Sequence, residues 1–134
     1  MDYQESWPLL LQSRLSQSGY NYLVVNAGIS GDTTSGGVSR LPKLIKLHQP
    51  EILILELGGN DGLRGTSLKA IEKNLRVMIN SAQSSGITVL LIGVQLPPNY
   101  GAVYTNGFEN IFSGLAKEFG LSLVQGVLKT MVNE

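Results

Sequence analysis

The chain contains no cysteine. That excludes disulfides, thiol catalysis and zinc–thiolate sites. Histidine occurs once, as His48. Charge is scarce and balanced: charged residues make up 15%, and ten basic residues cancel ten acidic ones. Such a balance does not steer a chain to nucleic acid or to an anionic membrane. Apolar runs are short, as in Ile52-Leu53-Ile54-Leu55, and no segment is long enough to span a bilayer. The opening residues, Met1-Asp2-Tyr3-Gln4-Glu5, have neither a basic stretch nor a long apolar one, so they do not read as a signal peptide. There is no Gly-x-Gly-x-x-Gly and no Gly-Lys-Ser/Thr, which argues against a nucleotide site. Nothing in the sequence points to a metal or a cofactor.

What is present suits an ordinary globular domain. The 134 residues are 43% apolar. This length predicts a single domain over residues 1–134, and a chain of this size buries about 68% of its unfolded surface. No internal repeat, low-complexity tract or linker interrupts it.

The pattern alternates between helix and strand. Residues 6–17 read as a helix capped by Ser6, with Pro8 in its first turn and Trp7, Leu10, Leu11 and Leu15 near one face. Gly19 ends it. Leu23-Val24-Val25 reads as a short buried strand. Residues 37–48 form a second helix on the stripe Val38, Leu41, Leu44 and Ile45, with Pro42 marking a first turn or a kink. Ile52 to Leu57 is continuous and β-branched, which predicts a strand buried on both faces. The longest helix spans 67–84 on Leu68, Ile71, Leu75, Met78, Ile79 and Ala82, closed by Gly86. Thr88 to Val94 is a strand. Residues 105–119 are a helix carrying Phe108, Ile111, Phe112, Leu115 and Phe119, closed by Gly120. Leu121 to Val124 is a last strand, and 127–134 reads as a weak helix start or frayed tail. Strands separated by helices of this length predict βαβ units, an α/β fold with a parallel sheet and helices on both faces. The chain opens on a helix where a doubly wound sheet ordinarily opens on a strand.

Ligands in such sheets bind at the carboxyl ends of the strands. Two loops there are rich in glycine and short polar residues: Asn26-Ala27-Gly28-Ile29-Ser30-Gly31-Asp32-Thr33-Thr34 and Gly58-Gly59-Asn60-Asp61-Gly62. Glycine lets backbone N–H groups approach a ligand, and an asparagine amide adds a neutral donor, the ingredients of an oxyanion pocket. Composition alone fits ordinary strand-end turns as well.

The stretches Ser6-Trp7-Pro8-Leu9-Leu10, Val24-Val25-Asn26-Ala27-Gly28-Ile29-Ser30-Gly31-Asp32-Thr33 and Leu55-Glu56-Leu57-Gly58-Gly59-Asn60-Asp61-Gly62-Leu63-Arg64-Gly65 go further. In order and spacing they resemble the SGNH (GDSL) hydrolases. They are most similar to the bacterial branch of arylesterase, acyl-CoA thioesterase I and lysophospholipase L1. The resemblance implies a three-layer, doubly wound, flavodoxin-like fold, here without its first strand and last helix. It implies a serine hydrolase of acyl esters or thioesters. It makes the Gly31 N–H and the Asn60 side-chain amide donors to an oxyanion, and has Asp61 brace the loop. It makes Pro97, Pro98, Asn99, Tyr100 and Gly101 a substrate-contacting loop.

Two blocks of the family pattern do not occur in these 134 residues: the Gly-Asp-Ser-Leu block with the nucleophile and the Asp-x-x-His block with the base. His48 stands at the wrong edge of the sheet to replace the latter, and Ser30 has no histidine to activate it. Serines 13, 16, 18, 84 and 85 read as solvated surface. Glu56 is a charge in a buried strand, read as bonding locally or marking the strand's end. The Phe108, Phe112, Phe119 stripe reads as core. The expectation is a chain that is catalytically incomplete on its own, with an acyl ester or thioester as its natural ligand. A sheet lacking its first strand either leaves a gap between 23–25 and 52–57 or closes it by direct pairing. Uncovered edges then predict a homodimer or strand exchange. The compartment stays open: cytoplasmic as the chain stands, periplasmic if an upstream segment carries a signal.

Overall fold

The computed structural model describes residues 3–25, 27 and 31–125, with side chains described from residue 8 onward. The predicted tail at 127–134 lies outside the described residues. The chain forms two compact units, Met1–Gly31 and Asp32–Glu134.

In the first unit α1 runs Tyr3–Gln17. It starts three residues before the predicted position, so Ser6 lies inside it and Pro8 in its second turn. Gln4 and Glu5 are good helix formers and carry the helix past the proline. Leu10 is 60% exposed and does not join the half-buried Leu11 and Leu15. Gly19, at φ +82, closes the helix, with Tyr20 N donating to the Leu15 carbonyl at 2.9 Å. The predicted strand at 23–25 is not one. Leu23 is 85% exposed and the segment pairs with no strand among the described residues. Its backbone is engaged by a side chain instead: Val24 N donates to Gln12 Oε1 at 2.6 Å, and Gln12 Nε2 donates to the Tyr22 carbonyl at 2.8 Å. One amide thus takes up the groups a neighbouring strand would use.

The second unit begins with α2, Thr34–His48. Thr33 caps it, accepting from Gly36 N at 3.4 Å, so it too starts three residues early and Pro42 falls in its middle rather than its first turn. Then come β1 (Ile52–Leu55), α3 (Gly59–Leu63), α4 (Leu68–Ser84), β2 (Thr88–Gly93), a 3-10 turn (Pro98–Tyr100), α5 (Ala102–Phe119) and β3 (Ser122–Gln125). The strands are parallel in the order β1-β2-β3, with Leu55 opposite Leu91 and Leu91 opposite Leu123.

Helix α4 follows the predicted stripe: Ile71, Leu75, Met78, Ile79 and Ala82 are all buried. With Leu55, Val89 and Leu91 of the sheet and Phe108, Ile111, Phe112 and Leu115 of α5 they form one core. Each of these side chains other than Ala82 contributes about 1.5–3 kcal/mol by leaving water. Phe108 and Phe112 meet edge to face at 5.3 Å, so the aromatic stripe is core, as predicted. The expectation for 52–57 needs correction. The strand ends at Leu55, and of its four residues only Leu55 is buried while Ile52 is 46% exposed.

Candidate active site

Beyond the carboxyl end of β1 the chain turns through Gly58, whose φ of +117 only glycine adopts readily. Its α-carbon rests on the aromatic pair: an added Cβ would stand 3.2 Å from Phe112 Cζ. Helix α3 starts at the next residue, although Gly-Asn-Asp-Gly reads as a turn. It is anchored from outside. Gly62 is seated so closely on Leu96 and Phe108 that a Cβ would come within 2.6 Å of Leu96 Cδ2 and 3.1 Å of Phe108 Cε2.

Asn60 occupies the first turn of α3. Its Nδ2 donates to the Asp32 carbonyl at 3.1 Å. Asp61, only 3% exposed, reaches the start of α2. Its Oδ1 accepts from Thr34 N at 2.8 Å and its Oδ2 from Thr34 Oγ1 at 2.7 Å. The brace assigned to Asp61 is therefore present, and it acts as a cap donated from another helix, where a carboxylate meets orphan N–H groups. Asn74 of α4 completes the network, Nδ2 donating to Thr34 Oγ1 at 3.1 Å. Asp32 is held by an ion pair with Arg40 and accepts from Thr33 N at 2.9 Å.

The 97–101 loop borders the same helix. Its central residues form the 3-10 turn, with Pro97, Pro98 and Asn99 exposed and Gly101 at φ +88. Tyr100 Oη donates to the Leu63 carbonyl at 3.3 Å, and Tyr104 Oη to the Thr66 carbonyl at 2.6 Å. Burial, with Asp61 as a lesser cause, pushes the Tyr104 phenol above its usual range. The structure thus brings Asn60, Asp61 and Tyr100 together around α3.

Gly31, in the first unit, is exposed with φ +79. Asn26, Gly28, Ile29 and Ser30 lie outside the described residues. His48 ends α2, four residues before β1 begins, at the edge away from the loops just described. Serines 13, 16, 18, 84 and 85 are exposed, as expected. Among the described residues no cluster of His, Asp or Glu could hold a metal ion, and no helix is long and apolar enough to cross a membrane. Asn74 and Tyr104 were not legible as site residues, and Thr34 was singled out only as the last residue of the first glycine-rich loop. For Asn74 one signal existed, a polar side chain beside the apolar stripe of an amphipathic helix.

Glu56 follows β1 directly. Burial raises its carboxyl from 4.5 to about 7. Between these values the folded chain keeps a proton that the unfolded chain has released, so stability falls as pH rises through that window. The stabilisation is fully present below 4.5 and lost above about 7. Across that window the chain is expected to lose on the order of 1–3 kcal/mol relative to Glu56→Gln. Urea melts of both proteins check this, and parallel pH profiles would show a well-solvated carboxyl.

The structure thus combines a parallel α/β sheet with glycine-rich loops, one of which carries an anchored asparagine amide. The comparisons identify the family. Residues 2–128 match the GDSL-like Lipase/Acylhydrolase family, and the chain belongs to that family. It is 46% identical over 124 residues to Esterase TesA of Pseudomonas aeruginosa, covering 92% of this chain and 62% of that protein. It is 40% identical over 134 residues to the Arylesterase of Vibrio mimicus, covering all of this chain and 67% of that one. It is 42% identical to the Thioesterase 1/protease 1/lysophospholipase L1 of Escherichia coli K12, covering 92% and 58%. The crystal structure of TesA superposes with a TM-score of 0.87 over 92% of this chain and 68% of that one. That of AlinE4, an SGNH-hydrolase family esterase, does so with the same score at 40% identity, covering 92% and 67%. The α/β fold is that of these hydrolases, and the chain spans 58–67% of the length of the curated relatives it matches.

Proposed function

We propose that residues 1–134 belong to one hydrolase domain and supply the oxyanion-stabilising part of a site for acyl esters or thioesters. The observation that carries the reading is the Asn60 amide, held 3.1 Å from the Asp32 carbonyl on a short helix just past β1. Attack on an acyl carbonyl places negative charge on its oxygen. Neutral donors fixed beforehand stabilise that charge without reorganising during the reaction, and removing one costs about a hundredfold to a thousandfold in rate. Asn60 is such a donor, and the Gly31 N–H is assigned the same role by resemblance. Pro97 to Gly101 is the segment proposed to meet the substrate. The names of the relatives (esterase, arylesterase, thioesterase and lysophospholipase) support esters and thioesters as the substrate class.

By themselves the 134 residues hold no Gly-Asp-Ser-Leu and no Asp-x-x-His. We therefore expect the isolated chain to be catalytically incomplete. Fluorophosphonate labelling read by intact mass, beside Asn60→Ala, tests this. No mass increase is expected in either. A stoichiometric adduct would overturn the reading and reveal an activated serine within these residues.

Among the described residues β1 pairs with a strand on one side only, which supports a second reading, a non-enzymatic chain that dimerises through its sheet or binds acyl chains. Light scattering discriminates: a monomer at high concentration counts against the dimer.

A further inference from the structure

We propose that Thr34 and Asn74 are positioning residues for the Asn60 amide, an inference that rests on Asn60 as an oxyanion donor. Helix α3 has five residues and no side-chain cap at its N-terminus. A helix that short does not hold its own orientation in water. Asn60 and Asp61 are consecutive on it, so whatever fixes one fixes the other.

The hydrogen bonds close a ring. Asp61 binds Thr34 through both carboxylate oxygens, the chain runs back from Thr34 to Asp32, and the Asp32 carbonyl accepts from Asn60. Peptide bonds join Asn60 to Asp61 and complete the circuit. Asn74 stands outside the ring and holds its Thr34 corner. The Thr34 hydroxyl has one proton. The Asp61 carboxylate can only accept, so it takes that proton at Oδ2, and the Asn74 N–H donates to the remaining side of Thr34 Oγ1. Thr34 is fully buried and Asp61 nearly so, whereas Asn74 is half-buried. Without Asn74 the Thr34 oxygen loses its second partner and is held by Asp61 alone, that corner of the ring loosens, and α3 is free to turn Asn60 off the Asp32 carbonyl.

The test follows hydrogen exchange in the 15N-labelled chain. The Asn60 side-chain amide is assigned by its loss in Asn60→Ala, and β2 backbone amides report global stability. Thr34→Val and Asn74→Leu each keep the shape and remove the polar link. Both are expected to speed exchange at Asn60 Nδ2 about tenfold, the worth of one hydrogen bond, beyond whatever speeding the β2 amides show from the general loss of stability. Thr34→Ser, which keeps the hydroxyl, is expected to match the parent chain. The proposal is overturned if Asn60 exchange is unchanged, if it moves only in step with β2, or if Thr34→Ser behaves like Thr34→Val. Should Thr34→Val fail to fold, Asn74→Leu decides. None of these readouts needs turnover. If Asn60 has no part in acyl chemistry the exchange results still stand, whereas failure of the positioning role removes them.

Discussion

Asp61→Ala is expected to lower the unfolding free energy by about 3–5 kcal/mol. The substitution strands the Thr34 N–H and hydroxyl in a place closed to water, since Thr34 is fully buried and Asp61 nearly so. Each buried polar group left without a partner costs about 1–3 kcal/mol, and more where the lost partner is charged. It also uncaps α2 at its first N–H. Asp61→Asn keeps the shape and one carbonyl acceptor, so it is expected to cost about half as much. Urea unfolding monitored by circular dichroism measures both. A loss under about 1 kcal/mol for Asp61→Ala would mean that water reaches Thr34 and that the bond is one among many exchangeable ones.

Phe108→Ala is expected to cost about 3–5 kcal/mol, the usual range for deleting a buried aromatic ring. Its edge-to-face contact with Phe112 contributes about 0.5–1.5 kcal/mol of that. Against a whole-domain stability of about 5–15 kcal/mol, this brings the chain close to its unfolding threshold. The ring also lies under Gly62 and beside Gly58, so the cavity opens beneath the loop that carries Asn60. Phe119→Ala, at the half-buried end of the same stripe, is expected to cost distinctly less. Equal midpoint shifts in urea for the two variants would show that α5 is not anchored through Phe108.

Helices α4 and α5 were legible because their burial repeats with the helical period. On α4 the buried Ile71, Leu75, Met78, Ile79 and Ala82 were each foreseen, and on α5 so were Phe108, Ile111, Phe112 and Leu115. A run of three apolar residues carries no such period. Leu23-Val24-Val25 read as a strand for that reason, and its backbone is bound by Gln12 instead. Helix α3 was missed for the opposite reason. Gly-Asn-Asp-Gly has poor helix propensity, and the contacts of Asp61 with Thr34 and of Gly62 with Leu96 hold it helical.

For the candidate site, residue order was enough to single out Gly31, Asn60 and the 97–101 loop through a family pattern, and to give Asp61 a bracing role. Residue order cannot show which distant side chains complete that brace. Thr34 and Asp61 are 27 positions apart, and Thr34 and Asn74 are 40. Local pattern thus settled which segments form helices with an apolar face, because amphipathic periodicity is a property of neighbours along the chain. Packing settled how Asn60 is held and why a glycine-rich loop is helical. Both rest on buried polar groups finding partners that become neighbours only when α2, α3 and α4 meet.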